Sequence, residues 1–108
     1  MVRELSPDEV AQRLRSDPAE VVLLDVRESY ERALAAIAPS LHIPMQEVPD
    51  RLADLPRTRP LVVYCHTGSR SLMVALYLEG KGFRAVSNLT GGIDAWSRKV
   101  DPSVPRYA

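Results

Sequence analysis

Two short apolar segments constrain the fold of this chain more than any other feature. Residues 21–26 read Val-Val-Leu-Leu-Asp-Val and residues 61–65 read Leu-Val-Val-Tyr-Cys, without regular alternation of apolar and polar residues. Alternation is typical of a half-exposed strand, whereas a continuous apolar run is typical of a strand buried on both faces. The two segments therefore predict a parallel sheet with layers packed on both sides.

Helix signals alternate with the strands along the chain. Ser6, Pro7 and Glu9 form the start signal of a first helix: a capping Ser, a Pro at the first helical position and a Glu three residues after the cap. In a helix predicted over 71–79 we expect Leu72, Ala75 and Leu76 to face inward. A strand, a helix and a strand in close succession form a βαβ unit with parallel strands. The further helices are predicted over 28–34, 48–55, 71–79 and 93–98, and the further strands over 41–43 and 83–87.

Composition excludes several classes of protein. Fourteen Lys and Arg balance fourteen Asp and Glu, which removes the electrostatic case for a nucleic acid or a membrane surface as partner. One Cys and two His exclude an internal disulfide framework and make a structural metal site or a cofactor unexpected. The N-terminal residues lack the apolar core of a signal peptide, so a reducing, cytoplasmic setting is expected. The 108 residues fit one α/β domain, 1–108.

The single cysteine lies where a buried strand is predicted to meet a helix, in Cys65-His66-Thr67-Gly68-Ser69-Arg70-Ser71. Backbone N–H groups are unpaired at such a junction and the helix dipole is positive there, so a thiolate is stabilised. Gly68 permits a positive φ that turns successive N–H groups inward around an anion. Arg70 adds a forked cation suited to oxyanions. Thr67, Ser69 and Ser71 leave room and add hydroxyl donors, so the loop predicts a nucleophilic sulfur in an anion cradle.

Residues 65–71 resemble the active-site loop of the rhodanese domain family, the sulfurtransferases, and the resemblance extends along nearly the whole chain. Leu23 to Glu28 resembles the first-strand signature of that family, and His42-Ile43-Pro44 resembles its central segment. Leu89-Thr-Gly-Gly-Ile-Asp-Ala-Trp96 resembles its C-terminal signature. The resemblance implies a mainly parallel five-stranded sheet with helices on both faces.

The resemblance also implies a chemistry. Cys65 takes sulfane sulfur from a small donor such as thiosulfate and passes it to cyanide, a thiol or a protein cysteine. Arg70 binds the sulfonate of the donor, and the N–H groups of residues 66–70 hold the charge of the sulfur. The substrate-binding residues are therefore expected to be His66, Thr67, Gly68, Ser69 and Arg70. Asp25 and Arg27, at the end of the first apolar strand, are interpreted with Ser71 as residues that support the loop.

Two alternatives remain open from the sequence. A sulfur-relay module would hold the persulfide for one protein partner without general turnover. A cysteine-dependent phosphatase also places a Cys and an Arg around an anion cradle, but such enzymes usually have one residue more in the interval than residues 66–69 provide. The shorter interval favours sulfur or thiosulfate over a phosphate ester.

Overall fold

The computed structural model describes residues 1–108, which form five strands, four α-helices and one 3-10 helical segment. The strands are β1 (Arg3–Leu5), β2 (Val22–Asp25), β3 (Leu41–His42), β4 (Leu61–Tyr64) and β5 (Val86–Leu89). The helices are α1 (Pro7–Ser16), α2 (Ser29–Leu34), α3 (Ser69–Gly80) and α4 (Gly92–Lys99), and the 3-10 segment is Met45–Asp54.

The five strands form one sheet in the order β1-β5-β4-β2-β3, and every neighbouring pair is parallel. The α/β fold expected from the two apolar runs is therefore confirmed. Strand β4 is central, with Val62 paired to Leu23 of β2 on one side and to Ser87 of β5 on the other. Its four residues are all buried, because neighbouring strands flank both edges and helices cover both faces.

Successive side chains of the central strands enter two separate cores. Leu23 and Val62 belong to the core that α1 and α4 cover, together with Trp96. Leu24 and Val63, each one residue further on, belong to the core beneath α3 and the 3-10 segment. Side chains of a strand alternate between the two faces of a sheet, so an uninterrupted apolar run supplies both cores. None of the helices combines the length and the apolar character needed to cross a membrane.

Helix α1 begins as its sequence predicts. The Ser6 hydroxyl accepts a hydrogen bond from the Glu9 N–H at 3.1 Å, and the Glu9 carboxylate accepts one from the Ser6 N–H at 3.0 Å. This capping box satisfies two N–H groups at the start of the helix. Pro7, at the first helical position, needs no hydrogen-bond acceptor there.

Several of the sequence predictions differ from the structure in detail. The last strand is Val86–Leu89, not 83–87, because Phe83 still closes α3 through a hydrogen bond from its N–H to the Leu78 carbonyl at 3.1 Å. Leu76, expected inside, is 52% exposed, and Val74 and Leu78 form the buried face of α3 with Ala75. The predicted helix 48–55 is a 3-10 segment that begins at Met45. Strand β1 was not predicted, since three residues give too short a pattern.

Candidate active site

The cysteine loop lies where the chain leaves the sheet in two opposite directions. From β4 the chain runs through α3 to β5, whereas from the adjacent β2 it runs through α2 to β3. Diverging connections open a crevice at the carboxyl ends of the two strands, and open α/β sheets bind ligands at such a point. Cys65 follows β4 directly, and Asp25 is the last residue of β2.

The Cys65 sulfur lies within a ring of hydrogen-bond donors. The N–H of Gly68 is 3.1 Å from Sγ and the N–H of Ser71 is 3.3 Å from it. The Ser71 hydroxyl lies 3.2 Å from the same sulfur atom. Cys65 is fully buried, so these three groups replace the water that would otherwise solvate the sulfur. An anionic sulfur accepts all three hydrogen bonds and is stabilised by them.

Gly68 and α4 hold the loop in this shape. Gly68 has φ 109°, a left-handed conformation that side-chain-bearing residues rarely adopt, and this conformation directs its N–H at the sulfur. On the other side of the loop, the N–H groups of Ile93 and Asp94 donate to the carbonyls of Cys65 and His66 at 2.9 and 3.1 Å. A Cβ atom on Gly92 would collide with the same two carbonyls, so α4 can approach the loop this closely only through glycine.

Arg70 is engaged by a carboxylate of α2. Its Nη1 and Nη2 donate to the two oxygens of Glu31 at 2.7 and 2.9 Å. The side chain of Glu31 is 3% exposed and that of Arg70 is 34% exposed, so the pair closes one side of the loop with the cation at the surface. The hydrogen bonds from Arg70 lower the pKa of Glu31 to about 2, and the same carboxylate raises the pKa of Arg70.

A buried ion pair lies behind the loop. Arg27 binds both oxygens of Asp25, through Nε at 2.9 Å and Nη2 at 2.7 Å, and neither side chain is exposed. Arg27 also donates to the carbonyls of Glu31 and Ala35, which ties β2 to α2. Although burial alone raises the pKa of Asp25, the hydrogen bonds from Arg27 outweigh it and the pKa is lowered. Both residues therefore lie in a supporting position at the end of β2 and do not contact the sulfur.

Tyr107 completes the site from a distant part of the chain. Its ring stacks on His66 with centroids 4.0 Å apart and an interplanar angle of 12°. Its hydroxyl donates to Glu31 at 2.7 Å and accepts from Arg27 at 3.0 Å, and its carbonyl lies 2.9 Å from Nε2 of His66. Burial raises the pKa of Tyr107 to about 12, so the phenol remains a hydrogen-bond donor at neutral pH.

The structure brings the expected site residues together, with differences in detail. Thr67 and Ser69 are exposed at the rim, and His66 is half-buried beneath Tyr107. Ser71, expected as loop support, contacts the sulfur directly. Sequence reasoning missed Glu31, although it lies four residues after Arg27 at the start of a predicted helix. It also missed Tyr107, for which no local signal exists. No cluster of three His, Cys, Asp or Glu side chains that could hold a metal ion is present.

Known proteins share both the sequence pattern and the fold. The family model described as the rhodanese-like domain matches residues 6–99. A sulfurtransferase of Allochromatium vinosum is 39% identical over 104 residues, which cover 96% of each chain. The thiosulfate sulfurtransferase GlpE of Pseudomonas savastanoi pv. phaseolicola is 38% identical over 90 residues, which cover 83% of each chain. Among solved structures, a rhodanese-like domain protein of Staphylococcus aureus superimposes with a TM-score of 0.83 and 28% identity, covering 99% of this chain and all of the other.

Proposed function

Because this chain belongs to the family of rhodanese-like domains, we propose that it transfers sulfane sulfur through a persulfide formed on Cys65. The observation that carries the proposal is the ring of three donors around the Cys65 sulfur, formed by Gly68 and Ser71. Such a ring stabilises the anionic Cys65 sulfur that attacks the donor and that is regenerated when the outer sulfur leaves.

The first step is the attack of the Cys65 thiolate on the outer sulfur of a donor such as thiosulfate. The new S–S bond forms as the bond between the outer and the central sulfur of thiosulfate breaks. The electron pair of the broken bond leaves with sulfite, and Cys65 becomes a persulfide anion. The relative named thiosulfate sulfurtransferase supports this choice of donor.

The second step passes the outer sulfur to a thiophilic acceptor. Cyanide or an external thiolate attacks that sulfur, the S–S bond breaks, and its electron pair returns to Cys65 as the thiolate. Cys65 is the only cysteine, so no second thiol of the chain can resolve the persulfide. The acceptor in this proposal is therefore external to the chain: cyanide, a small thiol or the cysteine of another protein.

The remaining loop residues take the roles that follow from their positions. Arg70 binds the sulfonate oxygens of the donor, which requires that Glu31 exchange for the donor at the guanidinium nitrogens. Thr67 and Ser69 contribute backbone N–H groups at the rim of the loop. His66, held by the stack with Tyr107, forms one wall of the entrance. The three donors around the sulfur do not depend on these side chains.

Phosphate-ester hydrolysis fits the site less well. A phosphatase mechanism requires an acid that protonates the leaving group. Asp94 is the carboxylate whose backbone lies at the loop, but its side chain binds Arg106 at 2.9 Å and Arg98 at 3.3 Å. The hydrogen bond from Arg106 lowers the pKa of Asp94 and keeps the group ionised. The short interval between Cys65 and Arg70 also favours sulfur or thiosulfate over a phosphate ester.

Intact-mass measurement tests the proposal directly. After incubation with thiosulfate, the protein should gain the mass of one sulfur atom, and cyanide should remove it with formation of thiocyanate. Cys65→Ser should show no gain and retain the circular dichroism spectrum of the native protein, because Ser is close in size to Cys.

Three other results would lead to different conclusions. A Cys65→Ser protein that still transferred sulfur would place the reaction elsewhere. Efficient hydrolysis of p-nitrophenyl phosphate by the unaltered protein, without a gain of sulfur, would favour the phosphatase alternative. Sulfur gain without turnover on cyanide would favour a relay to one protein partner.

A further inference from the structure

The loop cation is already paired before any donor arrives. Both terminal nitrogens of Arg70 bind Glu31, at 2.7 and 2.9 Å. Glu31 is itself fixed, since its second oxygen accepts from the Tyr107 hydroxyl at 2.7 Å and its first accepts from the Glu28 N–H at 3.1 Å. Two hydrogen bonds from groups other than Arg70 thus order this carboxylate, which makes it a strong competitor for the guanidinium.

The cations deeper in the site are also paired. Arg27 and Asp25 form a closed pair with no exposed surface, and Arg32 adds a contact to the same Asp25 at 3.2 Å. The exposed third of the Arg70 side chain is thus the cationic surface at the loop, and Glu31 neutralises it. An oxyanion approaching Cys65 meets a guanidinium whose charge is compensated.

We propose that Glu31 is the specificity-determining residue of this site, an internal carboxylate that competes with the oxyanion group of the sulfur donor for the guanidinium of Arg70. This inference rests on the proposed function for its meaning, because the competition matters only if donors bind at Arg70. It assigns to Glu31 a role in donor affinity, separate from the chemistry at Cys65. Donors with a strongly charged sulfonate gain less from Arg70 than they would gain from a free guanidinium.

Glu31→Gln tests the competition with little change in shape. Gln keeps the length and one carbonyl oxygen but loses the charge that holds Arg70, so donor oxygens should reach the guanidinium more readily. We expect the KM for thiosulfate to fall about tenfold, with kcat within about threefold of the native value, since a charge-assisted hydrogen bond contributes on this scale. The matched control is Glu20→Gln, which removes one charge from an exposed side chain that contacts neither Arg70 nor Glu31; both constants should stay unchanged.

A second readout does not need turnover. Sulfate, an inert oxyanion, should protect Cys65 from alkylation by iodoacetamide at about tenfold lower concentration in Glu31→Gln than in the native protein. Arg70→Lys combined with Glu31→Gln should abolish the gain, because Lys lacks the fork that holds two oxygens. If Glu31→Gln is too unstable to assay, Tyr107→Phe removes one donor to Glu31 and should shift both readouts in the same direction by a smaller factor.

The outcomes separate the two proposals. Equal KM and equal sulfate protection in the native and Glu31→Gln proteins would overturn the competition, and so would a higher KM in the variant, because Glu31 would then be positioning Arg70 for the donor. Absence of any sulfur gain on Cys65 in the native protein would overturn the proposed function. In that event, sulfate protection would still decide whether Glu31 competes for Arg70.

Discussion

At the scale of single residues, the sulfur environment depends on very few atoms. Two backbone N–H groups and one hydroxyl contact Sγ of Cys65, and Ser71 supplies two of these three donors. A backbone N–H group is retained in almost any substitution, whereas a single substitution of Ser71 removes its hydroxyl. The hydroxyl of Ser71 is therefore the part of the cradle that mutagenesis can remove on its own.

Ser71→Ala should slow persulfide formation without unfolding the protein. One hydrogen bond to an anionic sulfur is lost, and we expect the rate to fall about tenfold and the free energy of unfolding to change by about 1 kcal/mol or less. Stopped-flow measurement of sulfite release, beside urea unfolding, checks both numbers. Ser16→Ala, on an exposed residue at the end of α1, is the control. A rate equal to that of the native protein would show that the N–H groups alone stabilise the sulfur.

At the scale of secondary-structure elements, α4 sets the shape of the cysteine loop through its first turn. Gly91 and Gly92 both have positive φ, 79° and 62°, and Gly92 lies against the carbonyls of Cys65 and His66. The N–H groups that follow, those of Ile93 and Asp94, bind these carbonyls. A displacement of this turn therefore moves the loop that carries Cys65.

Gly92→Ala should cost both stability and sulfur transfer. The added Cβ collides with two carbonyl oxygens in a strained conformation, so we expect the free energy of unfolding to fall by about 3 kcal/mol. Gly80→Ala is the matched control, because nothing lies within 4 Å of the added atom. At that position Ala should raise the free energy of unfolding by about 0.5 kcal/mol. Equal thermal stability of the two variants would show that α4 does not brace the loop.

These elements also show what sequence patterns can and cannot predict. The apolar runs at 21–26 and 61–65 predicted buried parallel strands because burial on both faces leaves a continuous signal, and the capping box at Ser6 predicted the start of α1. Strand β1 was not predicted, because Arg3–Leu5 forms a strand through its pairing with β5 and has no apolar pattern of its own.

The loop composition predicted the hydrogen-bond donors around Cys65 for a related reason, since these donors come from residues of the loop itself. The partners of Arg70 and His66 were not predicted. Tyr107 lies 41 residues from His66 and 76 from Glu31, so only the folded chain brings them together. Contacts between distant residues leave no periodicity in the sequence, whereas a loop that folds on itself carries its own signal.

At the scale of the whole molecule, ionised carboxylates hold the layers around the sheet. Asp25 is bound by Arg27, and Glu31 is bound by Arg70 and Tyr107, which connects β2, α2, the cysteine loop and the segment after α4. The arginine hydrogen bonds lower the pKa of Glu31 from 4.5 to about 2. In a group of this kind, the folded state binds the proton less readily than the unfolded state.

The pH dependence of stability should follow from the lowered pKa of Glu31 in the folded state. The ionised Glu31 contributes on the order of 2 kcal/mol to the free energy of unfolding. This contribution is fully present above about pH 4.5 and is lost as the pH falls toward about 2. Urea unfolding of the native protein and of Glu31→Gln, measured between neutral pH and pH 3, should give a difference that narrows as the solution becomes more acidic. A difference that stayed constant over this range would show that the charge of Glu31 does not stabilise the fold.

The backbone nature of the cradle has a consequence for how such a site can change over evolutionary time. Thr67 and Ser69 lend the loop their main chain while their side chains point into solvent. Substitutions at these two positions can therefore change the exposed surface of the loop while the three hydrogen-bond donors to the Cys65 sulfur are retained. Gly68 and Gly92 cannot be substituted as freely, because both have a positive φ and a close backbone neighbour. A scaffold organised in this way offers protein engineers a buried cysteine whose exposed loop positions can be randomised without rebuilding the interior of the loop.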